Sequence, residues 1–260
     1  MELNIIKVGG NIIDDESKLH EFLKAFTATE GYKILVHGGG KVASEIGLKL
    51  NIEPNYINGR RITDKPTLDL VTMVYGGLIN KNIVAALQAL GCNAIGLTGA
   101  DGSVLPASKR PVKDIDYGFA GDVRSNKVNT SLIKLLLYNG LIPVFAPLTH
   151  DGNGNMLNTN ADTIAQEIAK AMATIMPVQL IYCFEKRGVL INAADDSSVI
   201  NQITAQDFSE LKEKEIITGG MIPKLENAFG AIESGVNKVI IGHADELSAL
   251  VAGNAGTWIV

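Results

Sequence analysis

Cysteine is nearly missing from this sequence. Cys92 and Cys183 are the only two among 260 residues. They form neither a C-x-x-C pair nor a zinc-ligand spacing, which excludes a redox motif and a structural zinc site. A single disulfide stays open, but two isolated thiols suit a reducing compartment at least as well. Basic runs are missing too. With a net charge of −5, the chain lacks the basic face of a nucleic-acid binder or of a protein that grips anionic lipid. It also lacks the run of about eighteen apolar residues that a membrane span needs. Met1 to Ile6 show no positive start, long apolar core or cleavage site, so no secretory leader is expected and the location is expected to be cytoplasmic.

Two nucleotide signatures are absent as well. The Gly-Lys pair of a P-loop must be followed by Ser or Thr, and Gly40-Lys41 is followed by Val42. The dinucleotide fingerprint G-x-G-x-x-G is not supplied by Gly9-Gly10-Asn11-Ile12-Ile13. A nicotinamide oxidoreductase is therefore a distant reading.

What is present describes an ordinary globular enzyme. Hydrophobic residues make up 46% and charged residues 20%, enough for a sizeable core. The length suits one unit or two closely fused lobes. Short β-branched runs alternate with longer amphipathic stretches, which predicts α/β with a mainly parallel sheet. Strands are expected at Ile5–Val8, Lys33–Val36, Ala94–Leu97, Ile142–Ala146, Val178–Tyr182, Lys238–Ile241 and Thr257–Val260. Between them lie helical patterns, the longest from about Thr67 to Leu90, and a hairpin around the turn-favouring pair Asn58-Gly59. No linker separates the halves. A lobe boundary near Ala173 gives an N-terminal lobe of residues 1–173 and a C-terminal lobe of residues 174–260.

Two glycine loops stand at strand ends. Lys7-Val8-Gly9-Gly10-Asn11 follows the first strand and Val36-His37-Gly38-Gly39-Gly40 the second. Glycines there let backbone N–H groups approach a phosphate without a Cβ in the way, and the lysine adds positive charge. Either loop alone is also compatible with a surface turn. Three consecutive glycines ahead of a helix favour an anion more strongly. His37 reads as a loop brace in preference to a catalytic base.

In order along the chain, these loops are joined by Asn58-Gly59-Arg60-Arg61-Ile62-Thr63, Asn80-Lys81, Gly99-Ala100-Asp101-Gly102, Asn158-Thr159-Asn160-Ala161-Asp162, Thr218-Gly219-Gly220-Met221-Ile222-Pro223-Lys224 and Gly256-Thr257. Over nearly the whole length this resembles the amino-acid kinase family. The N-G-x-R-x-T and N-x-N-A-D elements favour its branch acting on N-acylated glutamate over those acting on carbamate, aspartate or uridylate.

The resemblance implies an open, mainly parallel central sheet sandwiched between helices, a three-layer αβα amino-acid kinase fold. It implies ATP-dependent phosphorylation of the γ-carboxylate of an N-acyl-L-glutamate, a step of arginine biosynthesis. Mg²⁺ would be held mainly through the nucleotide's phosphates. By motif, Lys7 and Lys224 resemble the pair flanking the transferring phosphoryl group, and Asp162 the carboxylate orienting both. Gly9, Gly10, Gly38 and Gly39 resemble the phosphate and oxyanion donors. Gly59, Arg61, Asn158 and Asn160 resemble the acceptor site, with Arg61 and Asn158 on its α-carboxylate.

Position alone would leave Asp162 as a first-turn helix acid after the N-cap Asn160, Lys224 as a solvated lysine and Arg61 open between surface charge and a ligand contact. The nucleophile needs no base, because a glutamate side chain with a pKa of about 4.3 is ionised at neutral pH.

Three departures from the family pattern stand out. Tyr182-Cys183-Phe184-Glu185-Lys186-Arg187-Gly188-Val189 replaces a Ser/Thr-Asp-Val-x-Gly-like stretch near the adenine or ribose. Ala100 stands where a lysine is common. Arg60 replaces an apolar residue near the acyl group, where it could pair with the carboxylate of a succinyl chain; its alternative is a solvent-facing arginine. Arginine-inhibited hexameric relatives carry an extra N-terminal helix ahead of the first strand, so a homodimer without arginine feedback is expected. Rival readings are another small carboxylate or carbamate as acceptor, and a non-catalytic regulator that binds ATP.

Overall fold

The structure, a computed structural model, describes residues 2–57, 59–192, 194–217 and 221–260. Asn58 of the expected hairpin turn and Thr218-Gly219-Gly220 of the expected glycine motif lie outside the described residues.

Among the described residues eight strands form the central sheet: β1 Leu3–Val8, β2 Tyr32–His37, β3 Ala94–Leu97, β4 Ile142–Phe145, β5 Val178–Phe184, β6 Gln202–Ile203, β7 Lys238–His243 and β8 Thr257–Ile259. Their spatial order is β6-β8-β7-β5-β1-β2-β4-β3. Every neighbouring pair is parallel except β7 and β8. The chain leaves β1 toward β2 on one side and returns to β5 on the other. That makes β1 the switch point, where open α/β sheets form a crevice beyond their carboxyl ends.

The register levels these ends. Val8 pairs with His37 on one side and Cys183 on the other.

Helices follow as α1 Gly10–Ile13, α2 Glu16–Ala28, α3 Gly40–Lys49, α4 Lys65–Ala89, α5 Thr130–Tyr138, α6 Ala161–Ala173, α7 Ala205–Glu213, α8 Met221–Glu233 and α9 Leu247–Ala252. Strand alternation divides them into two layers. Leu3 and Ile5 of β1 pack with Ile133 of α5, Ile164 of α6 and Leu225 of α8. Ile6 and Val8 face the opposite core of α2, α4 and α9. The three-layer sandwich expected from the sequence is the one observed.

Local chemistry sets the helix starts. Asp15, Asp64, Asn129, Asn160 and Thr204 each accept a first-turn backbone N–H. Alone of the helices, α4 is long and apolar enough to cross a bilayer among the described residues. Its Leu68, Leu70, Val71, Val74, Ile83 and Leu87 are buried in the second core instead, as in a core helix. Its middle, Thr72–Ile79, is π-helical, which the sequence pattern did not reveal. Such segments re-aim side chains, often at functional sites.

Candidate active site

Lys7 belongs to the same face of β1 as Leu3 and Ile5, so it points toward α6. There Nζ meets Asp162 Oδ1 at 2.8 Å, with the two side chains only 13% and 17% exposed. Asp162 sits in the first turn of α6, whose N-cap Asn160 accepts from the N–H of Asp162 at 2.8 Å and of Thr163 at 3.2 Å. Burial pushes the Asp162 carboxyl up, but the pull of Lys7, joined by Lys224, outweighs it and holds the group below the usual carboxylate range.

Lys224, on α8, completes the cluster. Its ammonium lies 4.7 Å from the ring centroid of Phe184 at the end of β5. Burial lowers its pKa first, Asp162 opposes that shift, and Lys7 adds a like charge. Lys7 and Asp162, more than 150 positions apart in sequence, therefore share one electrostatic neighbourhood with Lys224.

The glycine loops divide their labour. Gly9 donates its N–H to Cys183 O at 3.2 Å and Gly38 donates to Val8 O at 3.2 Å. Both donors are spent on lacing the level strand ends together, which differs from the expectation that they serve an anion. Gly10 and Gly40 open α1 and α3, and first-turn N–H groups have no partner within their own helix.

Gly39 has φ +148°, and a Cβ there would overlap Ile79 Cδ1 and come within 3.2 Å of Tyr75 Cδ1. Only glycine fits. Beneath this loop His37 is fully buried, its Nδ1 2.7 Å from Gly38 O and its Nε2 3.1 Å from Asn80 Nδ2. A carbonyl can only accept, so Nδ1 carries the proton and Nε2 accepts from the amide. Burial pushes His37 down to about 4. It braces the loop as a neutral imidazole and is not a base.

A cleft of about 220 Å³ opens beside these loops, lined by residues that include Gly10, Gly39, Gly59, Arg60, Arg61, Asn158 and Asn160. Arg61 is 7% exposed and forms no ion pair among the described residues. A buried guanidinium without a carboxylate calls for an anionic ligand. Its Nη2 donates to Gly40 O at 2.8 Å, to Ser44 Oγ at 2.7 Å and to Tyr56 OH.

Asn158 donates to Thr63 Oγ1 at 3.0 Å, which fixes its amide at the cleft wall. Arg60 lines the same cleft beside Arg110, whose own guanidinium forks onto Asp122. Sequence reasoning missed Ser44, Tyr56, Tyr75 and Arg110. None lies in a glycine or asparagine motif, and each is brought in by tertiary packing.

A cleft holding one buried cation, next to two ammonium groups around a carboxylate at the carboxyl ends of a parallel sheet, is the layout of a phosphotransferase for small carboxylates. Comparison with known proteins agrees. The profile of the Amino acid kinase family matches residues 2–243. An acetylglutamate kinase of Phocaeicola vulgatus is 59% identical over 247 residues, 95% of either chain. One from Bacteroides thetaiotaomicron is 56% identical, over 99% of this chain and 98% of its own. Among solved structures, smu.665 of Streptococcus mutans superposes with a TM-score of 0.80 at 30% identity, covering 99% of this chain and 98% of that one. The chain belongs to the amino acid kinase family.

Proposed function

We propose that this protein transfers the γ-phosphoryl group of ATP to the side-chain carboxylate of N-acetyl-L-glutamate, giving an acyl phosphate and ADP, as a step of arginine biosynthesis. The observation that carries the reading is the meeting of Lys7, Asp162 and Lys224 beside a cleft whose buried Arg61 has no acidic partner among the described residues. In this reading Arg61 and Asn158 take the acceptor's α-carboxylate, with Gly59 and Asn160 along the same wall. A carboxylate oxygen of the acceptor forms the new P–O bond while the bond to the bridging oxygen of ADP breaks, and ADP leaves with that electron pair. No proton moves, so no base is required.

Lys7 and Lys224 stabilise the charge spread over the transferring group, Asp162 sets both ammonium groups, and N–H groups of Gly10 and Gly39 add fixed dipoles. Ammonium and N–H donors suit phosphate oxygens and not a metal ion. Mg²⁺ therefore fits as a companion of the nucleotide's phosphates, where it would neutralise their charge.

The lobes divide the substrates: residues 1–173 take the acceptor and residues 174–260 the nucleotide. A second cleft of about 160 Å³, lined by Gly188, Val189, Leu190, Ile216, Ile217 and Met221 among others, supplies apolar surface suited to adenine. The working form is a cytoplasmic homodimer, a reading supported by Met73 and Leu78 standing exposed on α4; light scattering in solution tests the dimer.

A coupled ADP-release assay with ATP–Mg²⁺ and a panel of N-acyl-glutamates tests the activity. Turnover by the native protein and a loss on the order of a thousandfold in Lys7→Ala are expected. ATP binding without turnover of any acceptor would favour a regulator. One observation favours a second acceptor, N-succinyl-L-glutamate. Arg60 lines the cleft and forms no ion pair among the described residues, whereas the neighbouring Arg110 is committed to Asp122. A guanidinium there that shares Asp122's charge with Arg110 without pairing to it suits a second carboxylate. Comparing kcat/KM for the two acyl-glutamates, in native protein and Arg60→Leu, decides it; a clear native preference for acetyl removes the idea.

A further inference from the structure

Arg61 sits on a hairpin of two short strands, Tyr56–Ile57 and Arg60–Arg61. Nothing in so small an element would hold a guanidinium to better than a rotamer. Yet Arg61 is fixed by three acceptors at one nitrogen: Gly40 O, Ser44 Oγ and Tyr56 OH. Its guanidinium also lies 4.6 Å from the centroid of the Tyr56 ring.

The protons can be followed. Ser44 donates to Gly40 O at 2.9 Å, so its hydroxyl hydrogen is committed. At the 3.3 Å contact between the hydroxyls, Tyr56 must then be the donor. Both oxygens thereby keep their lone pairs turned to Arg61. The Tyr56 ring is 47% exposed, too open for apolar burial to explain its position, so its hydroxyl contacts and the cation stack hold it.

We infer that Ser44 and Tyr56 are positioning residues, a hydroxyl pair that latches the hairpin onto the N-terminus of α3 and sets the Arg61 guanidinium for the carboxylate of the acceptor. The inference rests on the reading that the cleft takes an N-acyl-glutamate. It couples the acceptor site to the anion loop, because Gly40 O and Ser44 belong to the helix that the Gly38-Gly39-Gly40 turn begins. The three contacts all fall on Nη2, Tyr75 lies against the same guanidinium, and the acceptor meets an arginine that loses no further rotamer freedom on binding.

The test uses Tyr56→Phe and Ser44→Ala in the native background and in Arg61→Ala. In the native background each raises KM for N-acetylglutamate about tenfold, the size expected for one hydrogen bond to a charged group. KM for ATP stays the same and kcat changes by less than about twofold. In the Arg61→Ala background neither has any further effect. An equal loss in both backgrounds, a fall in kcat in place of a rise in KM, or no change in KM overturns the latch. The ligand-free protein gives an independent arm: ¹⁵N NMR of the arginine side chains should show a rotationally locked Arg61 guanidinium that is released in Tyr56→Phe. A locked signal together with no turnover of any N-acyl-glutamate would refute the substrate reading and keep the latch. A freely rotating Arg61 in the native protein would refute the latch alone.

Discussion

Replacing Asp162 by Asn keeps the shape of the side chain and its place in the first turn of α6 while removing the negative charge that both ammonium groups feel. For charges 2.8 Å apart, as between Lys7 and Asp162, Coulomb's law at an effective dielectric of about 20 gives about 6 kcal/mol. Desolvation of two side chains only 13% and 17% exposed takes back a large share. A one-sided break of such a pair costs about 3–5 kcal/mol, because the surviving charge is left buried. The ligand-free variant should therefore melt roughly 10 °C lower. Phosphates supply the missing negative charge, so ATP–Mg²⁺ should raise Tm more in the variant than in the native protein.

Catalysis should respond differently. With their shared anchor gone the lysines lose alignment, and kcat should fall on the order of 10²–10³-fold, while KM for ATP should not rise, in line with the larger stabilisation of the variant by nucleotide. Steady-state ADP release and thermal melts with and without nucleotide measure both. Asp162 has a depressed pKa in the fold, so its stabilising contribution is present above the unfolded value of about 3.9 and is lost as pH falls through the lower folded value. The Tm gap between native protein and variant should thus persist at pH 5 and close only below about pH 4. A kcat within about threefold of native would refute the reasoning, as would a large rise in KM for ATP at constant kcat.

Gly39→Ala should destabilise by about 1–3 kcal/mol, read by thermal melting, since the new Cβ overlaps Ile79 at a positive φ. His37 has a folded pKa of about 4 against about 6.5 unfolded, so the unfolded chain binds the extra proton between those values. Stability should fall as pH drops from 6.5 toward 4, by up to about 3 kcal/mol, and His37→Asn should flatten that slope in Tm against pH. Asn80→Ala leaves His37 Nε2 and the carbonyl of Val144 without their donor, for a loss of about 1–3 kcal/mol in urea unfolding.

The regular elements were legible because their periodicities are strong. Strand Ala94–Leu97 was read to the residue and the six other expected strands to within a few positions, while the two-residue β6 was not expected. The π-helical turn at Thr72–Ile79 was not, because one extra residue per turn leaves an apolar stretch looking helical either way. Its consequence was equally hidden: it is this turn that brings Tyr75 and Ile79 over Gly39 and Asn80 under His37. The short helix at Gly10–Ile13 and the hairpin Leu148–His150 with Met156–Asn158 also escaped notice, each too brief to show a period. Within the site, glycine positions were readable but not their division of labour. Whether Gly9 N–H faces a ligand or Cys183 O depends on a strand that begins more than 160 residues later.

That division explains why the motifs are scattered along the chain and still form one site. A parallel sheet sends every strand in the same direction, so the residues just past each strand all emerge on one rim. Lys7 lies near the end of β1 and Gly10 follows it, Gly39 and Gly40 follow β2, and Phe184 ends β5, with the strand ends level by register. Asp162 arrives from above on α6, held in place by Asn160, because α6 packs over β1. Spacing between motifs is then set by the helices needed to return the chain, and carries no chemical information. Order does, since it fixes which loop follows which strand. An isolated Gly-Gly or Asn-x-Asn is a turn; the same pieces in sequence specify neighbours on a rim, and the rim is where the charges of a phosphoryl transfer can be met from several sides at once.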